Sequence, residues 1–555
     1  MVEQPWYKKK VRESRAALAI LWLYLLSPVV LLPLLAGGQY PLDNLYLFNL
    51  LATLLWFGLL LSLFRRPAIF HVLALPLYVT TSIDLFLLIH FGARLSSSYF
   101  GVIFNDVTET SEFSSTYFWA LFPFLLFLLV CYPFLLRACW NVRFRVHLAR
   151  AALFAVALCG LYAAAATRSV LNGAELGSTV DGVIAKEASA PIGALAQLYS
   201  AVQQMVDSAE LVRSRKNSKL EVTRSASAET EVYVWVIGES SRPQNWRLYG
   251  YGRDTTPRLV RQQGLLVLDD VLTSAPLTAQ AVPSMLSLWP INDWDSVLRE
   301  KSIVSVFHQA GFKTYWLSTQ EADGWAGLIP QIANEAGETR FFDHAYDGAL
   351  LEPLKNIVDG AAEGSKIFIV LHTKGSHFEY SRRYPEEFAD FGDGAPSLID
   401  TYDNSIRYTD SVLSDIIDIL AQKRYKSALI YVSDHGENLR DDSRRLLGHS
   451  IGNEFDLRVP AFIWFSDQFM DVNRDKICRA DLNRKQKLSM SDLPHSFLDL
   501  LSMSSPAIDR SRSIFSETFV SHPRAYMLNG VVDIYTEKAI ANEPRRGTST
   551  TLGCG

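Results

Sequence analysis

The chain has 555 residues, 49% apolar and 20% charged, with a formal net charge of −5; typical soluble chains carry about 25% charged residues. The deficit lies before residue 167, where long apolar runs dominate. These figures exclude a wholly soluble chain, a disordered one and a fibrous one, and they leave no basic surface for nucleic acid.

Five apolar windows, 16–36, 44–64, 68–91, 117–136 and 146–166, approach the roughly 20 residues that cross a bilayer. The fifth is the weakest, its apolar core beginning at Ala151. Buried helices of soluble proteins usually stop at about 10–14 apolar residues, so five such windows predict a five-helix transmembrane domain over 1–167. The first window has the length of a signal peptide, but four more follow, so it is read as an uncleaved anchor.

Lys8, Lys9, Lys10, Arg12 and Arg15 precede the first window. Arg65 and Arg66 follow the second, and Arg137, Arg143, Arg145 and Arg150 follow the fourth. The alternate loops, 37–43 and 92–116, hold only Arg94. Basic clusters stay cytoplasmic, so the N-terminus is expected inside and everything after residue 166 outside. Asp84 lies within the third window, where a carboxylate either faces a partner or water or sits near the interface. Loop 92–116 carries Asn105, Asp106, Glu109, Thr110 and Glu112. It reads either as a solvated acidic loop or as a lip for a lipid headgroup, with Asn105 and Glu109 as candidate substrate contacts.

Residues 168–230 lack long apolar runs and are read as a bridging segment. Leu195, Leu198, Val202, Met205 and Val206 space as an amphipathic helix over 192–212, on the membrane surface or on the next domain. The polar stretch 214–230 reads as an exposed linker.

A different pattern starts at Val232. Short apolar runs at 232–237, 313–317, 366–372 and 428–432 alternate with helical spacing at 304–310 and 406–420. This predicts an α/β domain over 231–555 with a mostly parallel sheet. Such sheets place ligands at the carboxyl ends of their strands. Glu239 and Ser240 follow the first run; His372, Lys374 and His377 end or follow the third; Asp434, His435 and Glu437 follow the fourth. Thr278 lies between the first run and the next helix. Two carboxylates and an imidazole (Glu239, Asp434 and His435) suit zinc, and a hydroxyl in the fourth position would become a nucleophile. Each residue alone is weak evidence, since Asp-His-Gly after a strand is more often a turn than a metal site; it is their gathering at successive strand ends that points to a site. His308, His344 and His495 are read as structural, and Arg253 and Asp254 as a loop ion pair or turn.

Specific motifs sharpen this reading. The segments 236–242 (VIGESSR), 248–257 (LYGYGRDTTP), 371–377 (LHTKGSH), 402–404 (YDN) and 431–439 (YVSDHGENL) resemble the membrane-bound phosphoethanolamine transferases of Gram-negative bacteria. These belong to the alkaline phosphatase and sulfatase superfamily. The resemblance runs from about residue 16 to 519 and implies a five-span anchor with an outward catalytic domain. It implies Thr278 as the nucleophile, five residues before Pro283, and Glu239, Asp434 and His435 as the other ligands of one zinc. His377 and His449 would attend the phosphoryl group or a second zinc, and Lys374 would bind phosphate oxygens.

Three departures are visible. The usual Ser-His-Gly-Pro reads Ser376-His377-Phe378-Glu379; a Pro-Cys pair reads Pro283-Ser284; and the spacing from Asp434 to His449 is longer than usual. The five cysteines, Cys131, Cys139, Cys159, Cys478 and Cys554, are too few and scattered for a disulfide framework or a cysteine-rich zinc site. The disulfides of many relatives are therefore expected to be absent.

The implied activity is zinc-dependent transfer of phosphoethanolamine from phosphatidylethanolamine to a cell-envelope glycolipid or glycan through a phospho-threonine, by a monomer at the bacterial inner membrane. The rivals are a phosphoglycerol transferase of the same superfamily and a non-catalytic envelope scaffold.

Overall fold

The computed structural model describes residues 5–35, 44–91 (with Leu95 and Ser114), 117–171, 227–320, 328–441, 445–528 and 531–536, and scattered residues within 198–224 and 552–554. The chain divides into two compact units, residues 1–206 with 440–447, and residues 207–439 with 448–555.

Among the described residues the first unit holds four helices long and apolar enough to cross a membrane, or five if a bent pair counts as one span. They begin with Pro5–Leu35 and Asn44–Leu63 and end with the run from Phe118 to Cys139 and with Leu148–Leu171. The third window, read as one continuous run, is two helices, Pro67–Leu73 and Leu75–Phe91, bent by 66°. Pro76 explains the break: it has no N–H to give, and its ring collides with the carbonyl four residues earlier. A Cβ on Gly58 would lie 2.6 Å from the Phe154 ring, so a bare glycine is what lets the second and last helices approach.

The second unit is built on one eight-stranded sheet. In chain order its strands are β1 Glu231–Gly238, β2 Leu265–Leu272, β3 Lys313–Ser318, β4 Glu338–Phe341, β5 Lys366–His372, β6 Lys426–Ser433, β7 Arg458–Phe465 and β8 Lys487–Ser489. Their spatial order is β8-β2-β7-β6-β1-β5-β3-β4. Only β7 runs antiparallel to its neighbours. Strand β1 is buried along its whole length, as a parallel strand covered on both faces must be. Tyr233, Trp235 and Ile237 face one core layer, and Val232, Val234 and Val236 face the other. The rings of Phe307 and Phe368 stack at 3.7 Å in the first layer. The helix Leu398–Ala421 covers the second, started by a Ser397–Asp400 capping box.

Three expectations are corrected. The stretch 214–230 is not simply an exposed linker. Arg215 pairs with Glu335 at 2.7 Å with both side chains buried, Leu220 enters the core, and Thr223–Arg224 adds a short strand against Met503–Ser504. Its polarity misled because the buried arginine has a carboxylate and two backbone carbonyls waiting for it. The outward domain also keeps a disulfide, since Cys478 bonds to Cys554 with the Cα atoms 5.3 Å apart. Seventy-six residues separate the pair, and proximity at that distance comes from the fold alone. Arg253 and Asp254 do not pair with each other: Arg253 binds Asp400 and Asp403, and Asp254 binds Arg247. The amphipathic helix over 192–212 lies largely outside the described residues.

Candidate active site

Strand β1 lies between β5 and β6, with Gly238 opposite Ser433 and Ile237 opposite both His372 and Val432. The residues that follow these three strands therefore meet at one edge. Gly238 is required there, because a Cβ would lie 2.4 Å from the Tyr431 hydroxyl. Glu239, Asp434 and His435 are all buried. Their ligand atoms lie within 4.8 Å of one another.

The hydroxyl of Thr278 joins them from the first turn of the helix Thr278–Met285, which packs Val282 and Met285 into the core layer of Trp235 and Ile237. Thr278 Oγ1 lies 3.3 Å from Glu239 Oε2 and 3.2 Å from His435 Nε2. His435 Nε2 is 3.4 Å from Glu239 Oε1 and 3.5 Å from Asp434 Oδ2.

The hydrogen bonds around this cluster leave it open toward its centre. Asp434 Oδ1 accepts from the backbone N–H of Ser240 (3.1 Å) and of His435 (2.7 Å). Asp434 Oδ2 is buried and accepts no hydrogen bond among the described residues. His435 Nδ1 faces the Gly436 carbonyl at 2.8 Å, a contact that requires its proton there and turns the Nε2 lone pair inward. Burial holds the His435 imidazole below the usual histidine range, partly opposed by the Asp434 charge. Two carboxylates, a neutral imidazole and a hydroxyl around an orphaned carboxylate oxygen fit the donor set of zinc.

His449 and His377 stand beside this group. His449 Nδ1 is 3.0 Å from Glu437 Oε2, and its ring centroid is 4.1 Å from that of His435. His435, Glu437 and His449 form a second set able to hold a cation. His377 and Lys374 are half-buried on the loop after β5. That loop is tied to the cluster by the Ser376 N–H, which donates to the Glu239 carbonyl at 3.0 Å. Asn105 and Glu109 lie outside the described residues. Asp84 is buried in its helix, where its Oδ1 accepts the Leu95 N–H at 2.8 Å.

Three neighbours carried no role in the sequence reading. Gln320 Nε2 donates to Glu239 Oε2 at 3.1 Å. It stands two residues past β3, so the strand-end rule that found the others reaches it as well. Tyr380 donates its hydroxyl to Glu437 Oε1 at 2.8 Å. Asp347 anchors the loop after β5, and nothing in its local sequence marks it.

Comparison with known proteins agrees with this architecture. The family model described as Sulfatase matches residues 231–503. The chain is 25% identical to phosphoethanolamine transferase EptC of Escherichia coli over 512 residues, covering 85% of this chain and 87% of that protein. It is 35% identical to Escherichia coli YhbX over 241 residues, and there the match spans 42% of this chain and 43% of the relative, less than half of either. Full-length lipooligosaccharide phosphoethanolamine transferase A from Neisseria meningitidis has the same fold, with a TM-score of 0.67 at 20% identity over 90% of this chain and 98% of that one. The zinc complex of the periplasmic domain of Escherichia coli EptC aligns at a TM-score of 0.53 and 23% identity, over 59% of this chain and 98% of that one. A Sulfatase family domain thus follows an apolar helical unit in this chain, which is similar over most of its length to the phosphoethanolamine transferase EptC.

Proposed function

We propose that the chain transfers phosphoethanolamine from phosphatidylethanolamine to a glycolipid or glycan of the cell envelope. The observation that carries this reading is the Thr278 hydroxyl, 3.3 Å from Glu239 and 3.2 Å from His435, beside the orphaned Asp434 oxygen. Relatives named as phosphoethanolamine transferases, two of them for Kdo(2)-lipid A, support the reaction class. Glu239, Asp434 and His435 with Thr278 would hold one zinc, whose charge lowers a hydroxyl pKa and offsets charge on phosphoryl oxygens. The zinc complex of the EptC domain supports that choice of metal.

In the first step Thr278 attacks as the alkoxide, its hydroxyl proton already lost to solvent: Oγ1 forms a bond to phosphorus and the bond from phosphorus to the diacylglycerol oxygen breaks. His377 or His449 supplies the proton that the leaving oxygen takes. In the second step an acceptor oxygen attacks the phospho-threonine, gives its proton to the same imidazole, and frees Thr278. Glu437 holds the His449 ring by its Nδ1, so Nε2 is the nitrogen that trades the proton. Lys374 would contact the phosphate oxygens. Asn105 and Glu109 remain candidate headgroup contacts.

The basic clusters of the first unit support a cytoplasmic N-terminus and a periplasmic α/β unit. The Cys478–Cys554 bond supports an oxidising compartment for that unit. The working form is a monomer, with the transmembrane domain at 1–167, a bridge at 168–230 and the catalytic domain at 231–555.

The test is Thr278→Ala in the full-length protein, with a fluorescent phosphatidylethanolamine as donor. Loss of diacylglycerol release by at least ~10³-fold is expected for removal of a nucleophile. Mass spectrometry of the wild-type tryptic peptide should carry the added mass of phosphoethanolamine on Thr278. A phosphoglycerol adduct would reassign the donor, and wild-type turnover by the alanine variant would overturn the mechanism.

A further inference from the structure

Asp347 is a carboxylate held at 4% exposure, far from Glu239 in sequence. It opens a 3₁₀ turn, Asp347–Leu350, that follows β4. Burying a carboxylate is costly unless donors converge on it. Here four bonds do. Its Oδ1 accepts the Lys374 N–H at 2.7 Å and the Thr319 hydroxyl at 2.5 Å, and its Oδ2 accepts the Gly375 N–H at 2.9 Å. Thr319 Oγ1 in turn accepts from the Lys374 N–H at 3.1 Å.

The loop so gripped presses on Glu239. Gly375 adopts φ +47°, and a Cβ there would lie 2.8 Å from the Glu239 carbonyl oxygen and 2.9 Å from its nitrogen. The next residue, Ser376, donates its N–H to that carbonyl at 3.0 Å. Two peptide groups thus connect the Asp347 carboxylate to the backbone of Glu239. The same loop carries Lys374 and His377.

We propose that Asp347 is a positioning residue of the active site: by fixing the 374–376 backbone it sets the place of Glu239 and, on the same segment, of Lys374 and His377. This rests on the zinc and phosphoryl-transfer reading above. Residues that orient a metal ligand from behind typically alter metal affinity or activity by about 10–100-fold when changed.

The test uses full-length protein in detergent and compares Asp347→Asn, Asp347→Ala and Asp410→Asn. The asparagine keeps one acceptor oxygen but turns an NH2 toward the Gly375 N–H; the alanine removes every bond. Asp410 is the control, a buried carboxylate that likewise accepts two backbone N–H groups (Arg258 and Leu259) but among the described residues makes no hydrogen bond to the loop after β5. Zinc affinity is read by competition with a chromophoric chelator, turnover by release of diacylglycerol, and folding by thermal unfolding. Zinc affinity and kcat should fall about 10-fold in Asp347→Asn and further in Asp347→Ala. Asp410→Asn should lose melting temperature while keeping both. Wild-type zinc affinity and kcat in Asp347→Asn, or losses that match those of Asp410→Asn, overturn the proposal and leave the functional reading standing. A wild-type protein that binds no zinc overturns both.

Discussion

Buried hydroxyls of the helical unit and the polar cluster at the sheet edge of the α/β unit are satisfied in different ways. In the helical unit, hydroxyls return to backbone carbonyls: Thr53 donates to Asn49, Ser62 to Gly58, Tyr78 to Leu21 and Tyr132 to His71. Each of these groups finds an acceptor inside the bundle, as an apolar surrounding demands. In the α/β unit, Glu239, Asp434, His435 and Thr278 point at one another and leave a carboxylate oxygen unmatched. Closed pairs of the first kind hold a fold. An open set of the second kind is costly for folding, and its retention makes sense where a ligand completes it.

The contrast can be broken by experiment. The largest effect is expected from Asp434→Asn, which removes the orphaned charge. Zinc affinity should weaken by more than ~100-fold, and chelation of the wild-type protein should abolish diacylglycerol release in the same way. An asparagine variant that retains zinc would mean the set is as closed as those in the membrane. His449→Ala comes next. Turnover should fall about 10²-fold through loss of proton transfer, while the zinc held by Glu239, Asp434 and His435 stays. Cys478→Ser should leave kcat unchanged and lower unfolding stability by about 2–4 kcal/mol, read as a drop in melting temperature that reducing agent reproduces in the wild type. The smallest effect belongs to Tyr78→Phe. Loss of its bonds to Leu21 and His71 should cost about 0.6 kcal/mol by analogy with hydrogen bonds in other membrane bundles. Turnover should not move, and a large fall there would give the helical unit a share in the chemistry.

Four of the eight strands, β1, β3, β5 and β6, were legible in the sequence, and β2, β4, β7 and β8 were not read. A parallel strand buried on both faces has to be a continuous apolar run, and β1, β5 and β6 each are. The polar residues directly after them were legible for the same reason, because the end of an apolar run marks the sheet edge. Thr278 came from resemblance: it starts a short helix, and no periodicity points to its hydroxyl. Asp347 was silent because β4 is only partly buried and the turn after it carries no motif. The Cys478–Cys554 bond was missed because two cysteines far apart carry no pairing signal until the chain folds. Arg215 was missed because a charged residue in a polar stretch looks solvated, whatever waits for it in space. The bend after Leu73 was written in Leu75-Pro76, but hydropathy alone averages over it.

The link at Cys554 also has a timing. Residue 554 leaves the ribosome after all eight strands of the sheet and after every residue of the active site. A bond from it cannot steer strand pairing during synthesis. It can form only after every strand of the sheet has been made, and it ties the helix that carries Cys478 to a segment synthesised later than the whole sheet.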